Sequence, residues 1–269
     1  MKPIAITGAG GRMGRALVAA IAADSHVQLG AALVRPASQL VGLDAQVLGG
    51  ETQTGCAISA DLAGGIAASE CLIDFTTPAA CLAVLPLCVE AQCPMVIGTT
   101  GFSAEQLAEI DRASATLPIV LAPNMSVGVN LALQLIKSAA RALGEEADVE
   151  IIEAHHHGKR DAPSGTAVRM GEIVADATGR KLDEVALYGR QGLSEPRERK
   201  TIGFSTVRAG DIVGEHTVMF ATPGERLEIT HRASSRSNFA SGAVRAAKWL
   251  VSQQPGSSPG RYDMGDVLG

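Results

Sequence analysis

Aromatic side chains are scarce in this 269-residue chain, with one Trp, two Tyr and five Phe. A protein that grips single-stranded nucleic acid by stacking needs more rings than that. Positive charge is also in short supply, with 23 Lys and Arg against 28 Asp and Glu and a net charge of −5. Duplex binders carry the opposite excess. There is no apolar run of about 18 residues to cross a bilayer, and no basic-then-apolar targeting segment at the start. The expectation is a cytoplasmic chain with neither a nucleic-acid nor a membrane partner. Cysteine stops at Cys93: Cys56, Cys71, Cys81, Cys88 and Cys93 are odd in number and form no Cys-x-x-Cys pair. That excludes a full disulfide framework and the common zinc spacings, and leaves small, mostly apolar side chains in a reducing compartment.

What is present is an ordinary globular composition, 46% hydrophobic and 19% charged, long enough for one large domain or two smaller ones. The first half alternates short apolar runs with helical patterns. Strands are predicted at 4–7, 27–34, 71–75, 95–97 and 119–122, and helices at 15–23, 78–91 and 103–114, the last opened by the Ser103-x-x-Gln106 capping box. Such alternation argues for a doubly wound parallel sheet with ligands at the strand C-terminal edge. Residues 36–65 are assigned only weakly. After about residue 126 the pattern changes: a helix at 130–143, a strand at 149–154, a helix at 166–178, then strands at 203–208, 212–221 and 226–233 without helices between them. Strand following strand implies antiparallel pairing and an open sheet, so a second, α+β domain is expected. A last helix at 238–251 is expected to pack back on the first domain, with 252–260 as a surface loop. The fold class is α/β: an N-terminal Rossmann-type sheet plus an α+β domain with an open mixed sheet.

The first strand runs into Gly8-Ala9-Gly10-Gly11-Arg12-Met13-Gly14. Glycines there permit a tight turn and close approach of backbone N–H groups to a pyrophosphate, and the helix N-terminus adds positive field. Gly8, Ala9, Gly10, Gly11, Arg12 and Met13 are therefore candidate dinucleotide ligands. At the end of the second strand an acid would hold the ribose 2′-OH and an Arg would accommodate a 2′-phosphate. The chain has Val34-Arg35, which points to NADPH in preference to NADH, with Arg35 as a cofactor contact.

The densest chemistry lies in Glu153-Ala-His155-His156-His157-Gly-Lys159-Arg160-Asp-Ala-Pro163-Ser164-Gly165-Thr166. A metal reading fares poorly, since zinc needs three or four converging ligands and Lys159 and Arg160 repel a cation. Acid–base chemistry on an anion fits better. Histidine titrates near neutrality, a Lys among other cations and partly buried becomes a usable general acid, and the helix start at 164–166 can take a carboxylate. A nicotinamide turn and a proton-donating cationic loop together spell reduction of a C=N, C=C or C=O bond in an acidic substrate. Another Rossmann dehydrogenase and a non-catalytic NADP-sensing protein are the competing readings. A semialdehyde dehydrogenase would need a Cys nucleophile in the second domain, where there is none.

These residues resemble the 4-hydroxy-tetrahydrodipicolinate reductase (dihydrodipicolinate reductase) family of bacterial lysine biosynthesis. The likeness covers essentially the whole length. It rests on 8–14, Gly98-Thr99-Thr100-Gly101-Phe102, 122–130, 153–166 and Arg208-Ala209-Gly210-Asp211-Ile212-Val213-Gly214-Glu215-His216. The resemblance implies NAD(P)H-dependent reduction of a cyclic dicarboxylate. It implies a dinucleotide domain of 1–126 and 237–269, and a substrate-binding and oligomerisation domain of 127–236 that builds a homotetramer. By the family motif His155 is the acid/base residue and Lys159 the proton donor, while His156, Gly165 and Thr166 bind the substrate carboxylates. Gly98, Thr99, Thr100, Ala122, Pro123, Asn124 and Met125 line the cofactor. Many members carry an acid where this chain has Val34, which puts efficient NADH use in doubt.

Overall fold

The computed structural model describes residues 1–49, 55–252 and 258–269. Along the chain the elements are β1 Lys2–Thr7, α1 Arg12–Ala22, β2 Val27–Leu33, β3 Ile58–Ser59, α2 Leu62–Ala67, β4 Cys71–Asp74, α3 Pro78–Ala91, β5 Met95–Ile97, α4 Ala104–Ser114, β6 Pro118–Leu121 and α5 Val127–Leu143. There follow β7 Asp148–His155, α6 Gly165–Ala177, α7 Leu182–Val185, β8 Ala186–Tyr188, β9 Ile202–Arg208, β10 Gly214–Thr222, β11 Glu225–Ala233, α8 Ser237–Val251, β12 Gly260–Tyr262 and α9 Met264–Leu268. They form two compact units, Met1–Val127 with Arg236–Gly269, and Gly128–Ser235.

The first unit is built on a seven-stranded sheet in the order β12-β6-β5-β4-β1-β2-β3, with every pairing parallel. Its strands are almost continuously apolar because both faces are covered. One face packs α1 and α8, with Leu17, Val18, Ile21, Ala243, Ala247 and Leu250 in one core. The other packs α3 and α4, with Val84, Leu85, Cys88 and Ile110 in a second. Local signals set the helix starts: Pro78 occupies the first turn of α3, and the Ser103–Gln106 capping box opens α4. Cys71, Cys81, Cys88 and Cys93 are buried and act as small core residues. Burial pushes the Cys81 thiol well above its ordinary range and the Cys93 thiol up to about 12, so neither is a nucleophile near neutrality.

The second unit has a five-stranded mixed sheet in the order β11-β10-β7-β9-β8. Here the expectation of antiparallel neighbours needs correction. β10 pairs antiparallel with β11 and β7, but β9 runs parallel to β7 and β8 runs parallel to β9. The crossover from β7 to β9 contains α6, which satisfies the chain length a parallel pairing requires. One face of the sheet is covered by α5 and α6, burying Val149, Ile151, Phe204, Val218 and Phe220 against Ile136, Met170 and Val174. α1 begins at Arg12, three residues earlier than expected, so Arg12 and Met13 lie in its first turn. The weakly assigned 36–65 stretch holds β3 and the start of α2. Within the expected 252–260 surface loop, Gly260 instead opens β12 beside β6, and residues 253–257 lie outside the described set.

Candidate functional site

The strand period places the chemistry of the second unit. Along β7, Val149, Ile151, Glu153 and His155 alternate as buried positions, so all four project to the helix-covered face. On β10, Gly214, His216, Val218 and Phe220 do the same. Register then aligns Glu153 with His216 and with Thr206, and His155 with Arg208. At one end of the covered face, apolar side chains thus give way to Glu153, His155, Thr206, Arg208 and His216. Ser164, the N-cap of α6, lies over them.

Glu153, only 1% exposed, is the hub. His155 Nδ1–H donates to its Oε2 at 2.6 Å, Arg208 donates from both terminal nitrogens at 2.8 Å each, and the Ser164 N–H donates at 3.0 Å. A carboxylate can only accept, so the His155 proton sits on Nδ1 and leaves Nε2 to take or pass on a proton. Gly214 matters here: a Cβ on it would lie 3.0 Å from His155 Nε2, tight enough to crowd the working nitrogen. The His216 ring stands edge-on to His155 at 5.1 Å, and its Nε2 bonds to Ser164 Oγ at 2.9 Å. After β7 the chain turns through His156–Lys159. Lys159 Nζ pairs with Asp161 at 2.9 Å, and Arg160 is exposed. Lys159 is thus accompanied by an anion, in contrast to the crowd of cations expected from the sequence. At the start of α6, Gly165 faces open space and Thr166 lies in the first turn, as a carboxylate site at the helix N-terminus requires.

Charge and burial set the protonation states. Burial lowers the affinity of His155 for a second proton. The Glu153 carboxylate opposes this, while the Lys159 and Arg208 cations reinforce it. Burial also holds His216 at about 4 against an ordinary 6.5, with His155 adding to the effect. Burial by itself would raise Glu153, but the hydrogen bonds from Arg208, His155 and Ser164 outweigh it and hold the carboxyl at about 2 against an ordinary 4.5. Both groups bind protons less readily folded than unfolded, so their stabilisation is complete above pH 6.5. It is lost as pH falls, first from 6.5 to 4 through His216, with His155 acting in the same direction below 6.5, and then from 4.5 to 2 through Glu153. Each stage is worth up to about 3 kcal/mol. Hydrogen-exchange opening energies of the β7 and β10 amides, corrected for intrinsic rates, are expected to fall between pH 7 and 5, and His216→Gln is expected to flatten that step. A pH-independent opening energy across this range would contradict the assignment.

In the first unit the candidate cofactor residues gather at strand C-terminal ends. Gly8 follows β1 with φ +64°, in the left-handed region that suits glycine. A Cβ on Gly14 would overlap the carbonyl oxygens of Gly8 and Ala9, and one on Gly10 would lie 2.8 Å from Leu40 Cδ1. The turn is therefore a close backbone cradle. Gly11 caps α1 with no side-chain bond, so the first-turn N–H groups of Arg12 and Met13 are not met by a cap. Gly98, Thr99 and Thr100 follow β5, and Ala122, Pro123, Asn124 and Met125 follow β6. Arg35 is exposed after β2, beside a buried Val34. This cradle fits a dinucleotide pyrophosphate.

The family model described as the dihydrodipicolinate reductase N-terminus matches residues 2–125, and the one for its C-terminus matches 128–268. The chain belongs to the dihydrodipicolinate reductase family. Among its relatives, the 4-hydroxy-tetrahydrodipicolinate reductase of Methylococcus capsulatus is 58% identical over 98% of this chain and 97% of its own length. That of Hahella chejuensis is 55% identical over 100% and 99%. A solved structure of dipicolinate-bound dihydrodipicolinate reductase from Paenisporosarcina sp. TG-14 shares the fold, with a TM-score of 0.75 at 24% identity over 98% of this chain and 97% of that one. The family is one of NAD(P)H-dependent reductases. Among the described residues, no helix is long and apolar enough to cross a membrane, and no group of three or more His, Cys, Asp or Glu is placed to hold a metal ion.

Sequence spacing gives no role to Glu153, Arg208 or His216, and gives Ser164 one only as part of the helix start, where it is indeed the N-cap of α6. The signal for Glu153 was available, because it stands in phase with Val149 and Ile151 where a buried strand position should be apolar. Arg208 and His216 reach it only through β pairing, which sequence spacing does not reveal.

Proposed function

We propose that the chain catalyses NAD(P)H-dependent reduction of 4-hydroxy-tetrahydrodipicolinate, via dihydrodipicolinate, to tetrahydrodipicolinate in lysine and diaminopimelate biosynthesis. The observation that carries the mechanism is the Glu153–His155–Arg208 cluster at the root of the His156–Lys159 turn. The chemistry a bound nicotinamide supplies is a hydride. The glycine turn at 8–13 holds the pyrophosphate by backbone N–H groups, and residues 98–100 and 122–125 hold the remainder. Arg35 pairs with a 2′-phosphate, so NADPH is the preferred cofactor and NADH the weaker one.

In the second unit, His156 and the α6 start at Gly165 and Thr166 anchor the two substrate carboxylates. A hydride delivered there would add one negative charge to the substrate and call for one proton to balance it. Lys159 delivers that proton, and His155, oriented by Glu153, accepts or returns one through Nε2. Arg208 neutralises Glu153 with two parallel bonds, so the carboxylate fixes the ring without locking a proton onto it.

The 127–236 region also serves as the oligomerisation domain of a cytoplasmic homotetramer. Supporting this, the sheet face away from α5 and α6 carries Ile152, 37% exposed, and Val207, 45% exposed. The decisive experiment follows NADPH oxidation on addition of the dicarboxylate substrate, with cofactor affinity measured separately. Substrate-dependent oxidation is expected. Cofactor binding without turnover would overturn the enzyme reading.

A further inference from the structure

Asp74, the last residue of β4, has no exposed surface. It accepts from the hydroxyls of Thr7 at 2.6 Å, Thr76 at 2.8 Å and Thr99 at 2.5 Å, and from the Thr76 N–H at 3.2 Å. Among the described residues no cation pairs with it. Three strand ends meet on this one carboxylate, since Thr7 closes β1, Asp74 closes β4 and Thr99 follows β5. The loops packed there are equally tight: a Cβ on Gly8 would lie 2.7 Å from Thr76 Cγ2, and one on Gly98 would overlap the Phe75 ring.

We propose that Asp74 is a positioning residue for the dinucleotide, dividing the strand edge into a phosphate-binding half and a half that accepts hydrogen bonds. A hydroxyl carries one hydrogen, and a carboxylate accepts only. The hydrogens of Thr7, Thr76 and Thr99 are therefore all committed to Asp74, and their oxygens can only accept from other partners. The Thr99 oxygen already accepts from the Thr76 N–H at 2.8 Å. The oxygen of the half-buried Thr76 keeps a lone pair for a ligand donor. That donor is a sugar hydroxyl or a carboxamide N–H, never a phosphate. Phosphate goes to the N–H groups of the Gly8–Met13 turn. The inference rests on the reading that this unit binds NAD(P)H.

Asp74→Asn tests it, because the isosteric amide puts a donor among the three hydroxyls and forces at least one to reverse. NADPH affinity is expected to fall about 10-fold or more. Affinity for the 2′-phosphate of ADP, which lacks the nicotinamide riboside, is expected to change less than about 2-fold. Thr99→Val is expected to reproduce the loss, Thr99→Ser to restore near-normal affinity, and Thr99→Val to add little in the Asp74→Asn background. Equal losses for both nucleotides, or additive effects, would reduce Asp74 to a general scaffold and overturn the proposal. Wild-type protein that binds neither nucleotide would overturn the cofactor reading itself. If Asp74→Asn does not fold, the Thr99→Val and Thr99→Ser pair decides: equal affinities sink the idea.

Discussion

Lys159→Ala is expected to lower kcat by about 10²- to 10⁴-fold, the usual contribution of a positioned general acid, and to leave NADPH affinity unchanged. Its ammonium is one turn beyond His155, partly buried and paired with Asp161. Alanine removes the donor while Glu153, Arg208 and Ser164, which hold the site together, keep every bond among themselves. The fold should therefore survive, and the loss should fall on turnover. Lys159→Arg keeps the charge in a group that does not release its proton in a protein, so it should not rescue kcat although it can still attract the substrate carboxylates. A folded, NADPH-binding Lys159→Ala enzyme that retains more than about half of the wild-type kcat would remove Lys159 from the proton path.

The second large effect concerns cofactor choice. NADPH is expected to bind more tightly than NADH, and Arg35→Ala is expected to erase most of the difference by weakening NADPH alone. A hydrogen bond to a charged group is worth about 1.5–3 kcal/mol, roughly 10- to 150-fold in affinity. Arg35 is exposed, so the gap should narrow as salt rises. Val34 is only 8% exposed and belongs to the core around α1, so it offers the ribose 2′-OH no acceptor. The burial also means that Val34→Glu is not a clean converse test, because the new carboxylate would strain the core before it reached a ribose. Titration calorimetry with both cofactors at two salt concentrations checks the assignment: equal wild-type affinities, or an Arg35→Ala variant with its preference intact, would refute it.

Much of this architecture can be read from local signals. The parallel sheet follows from short apolar runs at strand spacing, and the Ser103–Gln106 box and Pro78 mark real helix starts. The histidine loop could be recognised because its residue types are contiguous. Pairing is what the chain conceals. β9 lies between β8 and β10 in sequence, yet in the sheet it lies between β8 and β7 and does not pair with β10, since crossover connections override sequence adjacency. The same concealment covers the partners of Glu153: Arg208 stands 55 residues away, and Ser164 and His216 are 52 residues apart. Short elements such as β12 and α9 escape for a different reason, because three to five residues carry too little periodicity to register.

The first unit is discontinuous along the chain. Lys248 of α8 pairs with Asp24 from 224 residues away, and β12 completes the sheet beside β6. During synthesis, residues 128–235 leave the ribosome as an unbroken stretch with their own core and can fold while the earlier sheet still lacks its last helix and edge strand. Contacts of such long sequence separation form slowly, and domains emerging first tend to fold first. The order of maturation is therefore inverted: the half that holds the glycine turn begins first and is finished last, after α8 arrives to cover α1 and β12 joins the sheet beside β6.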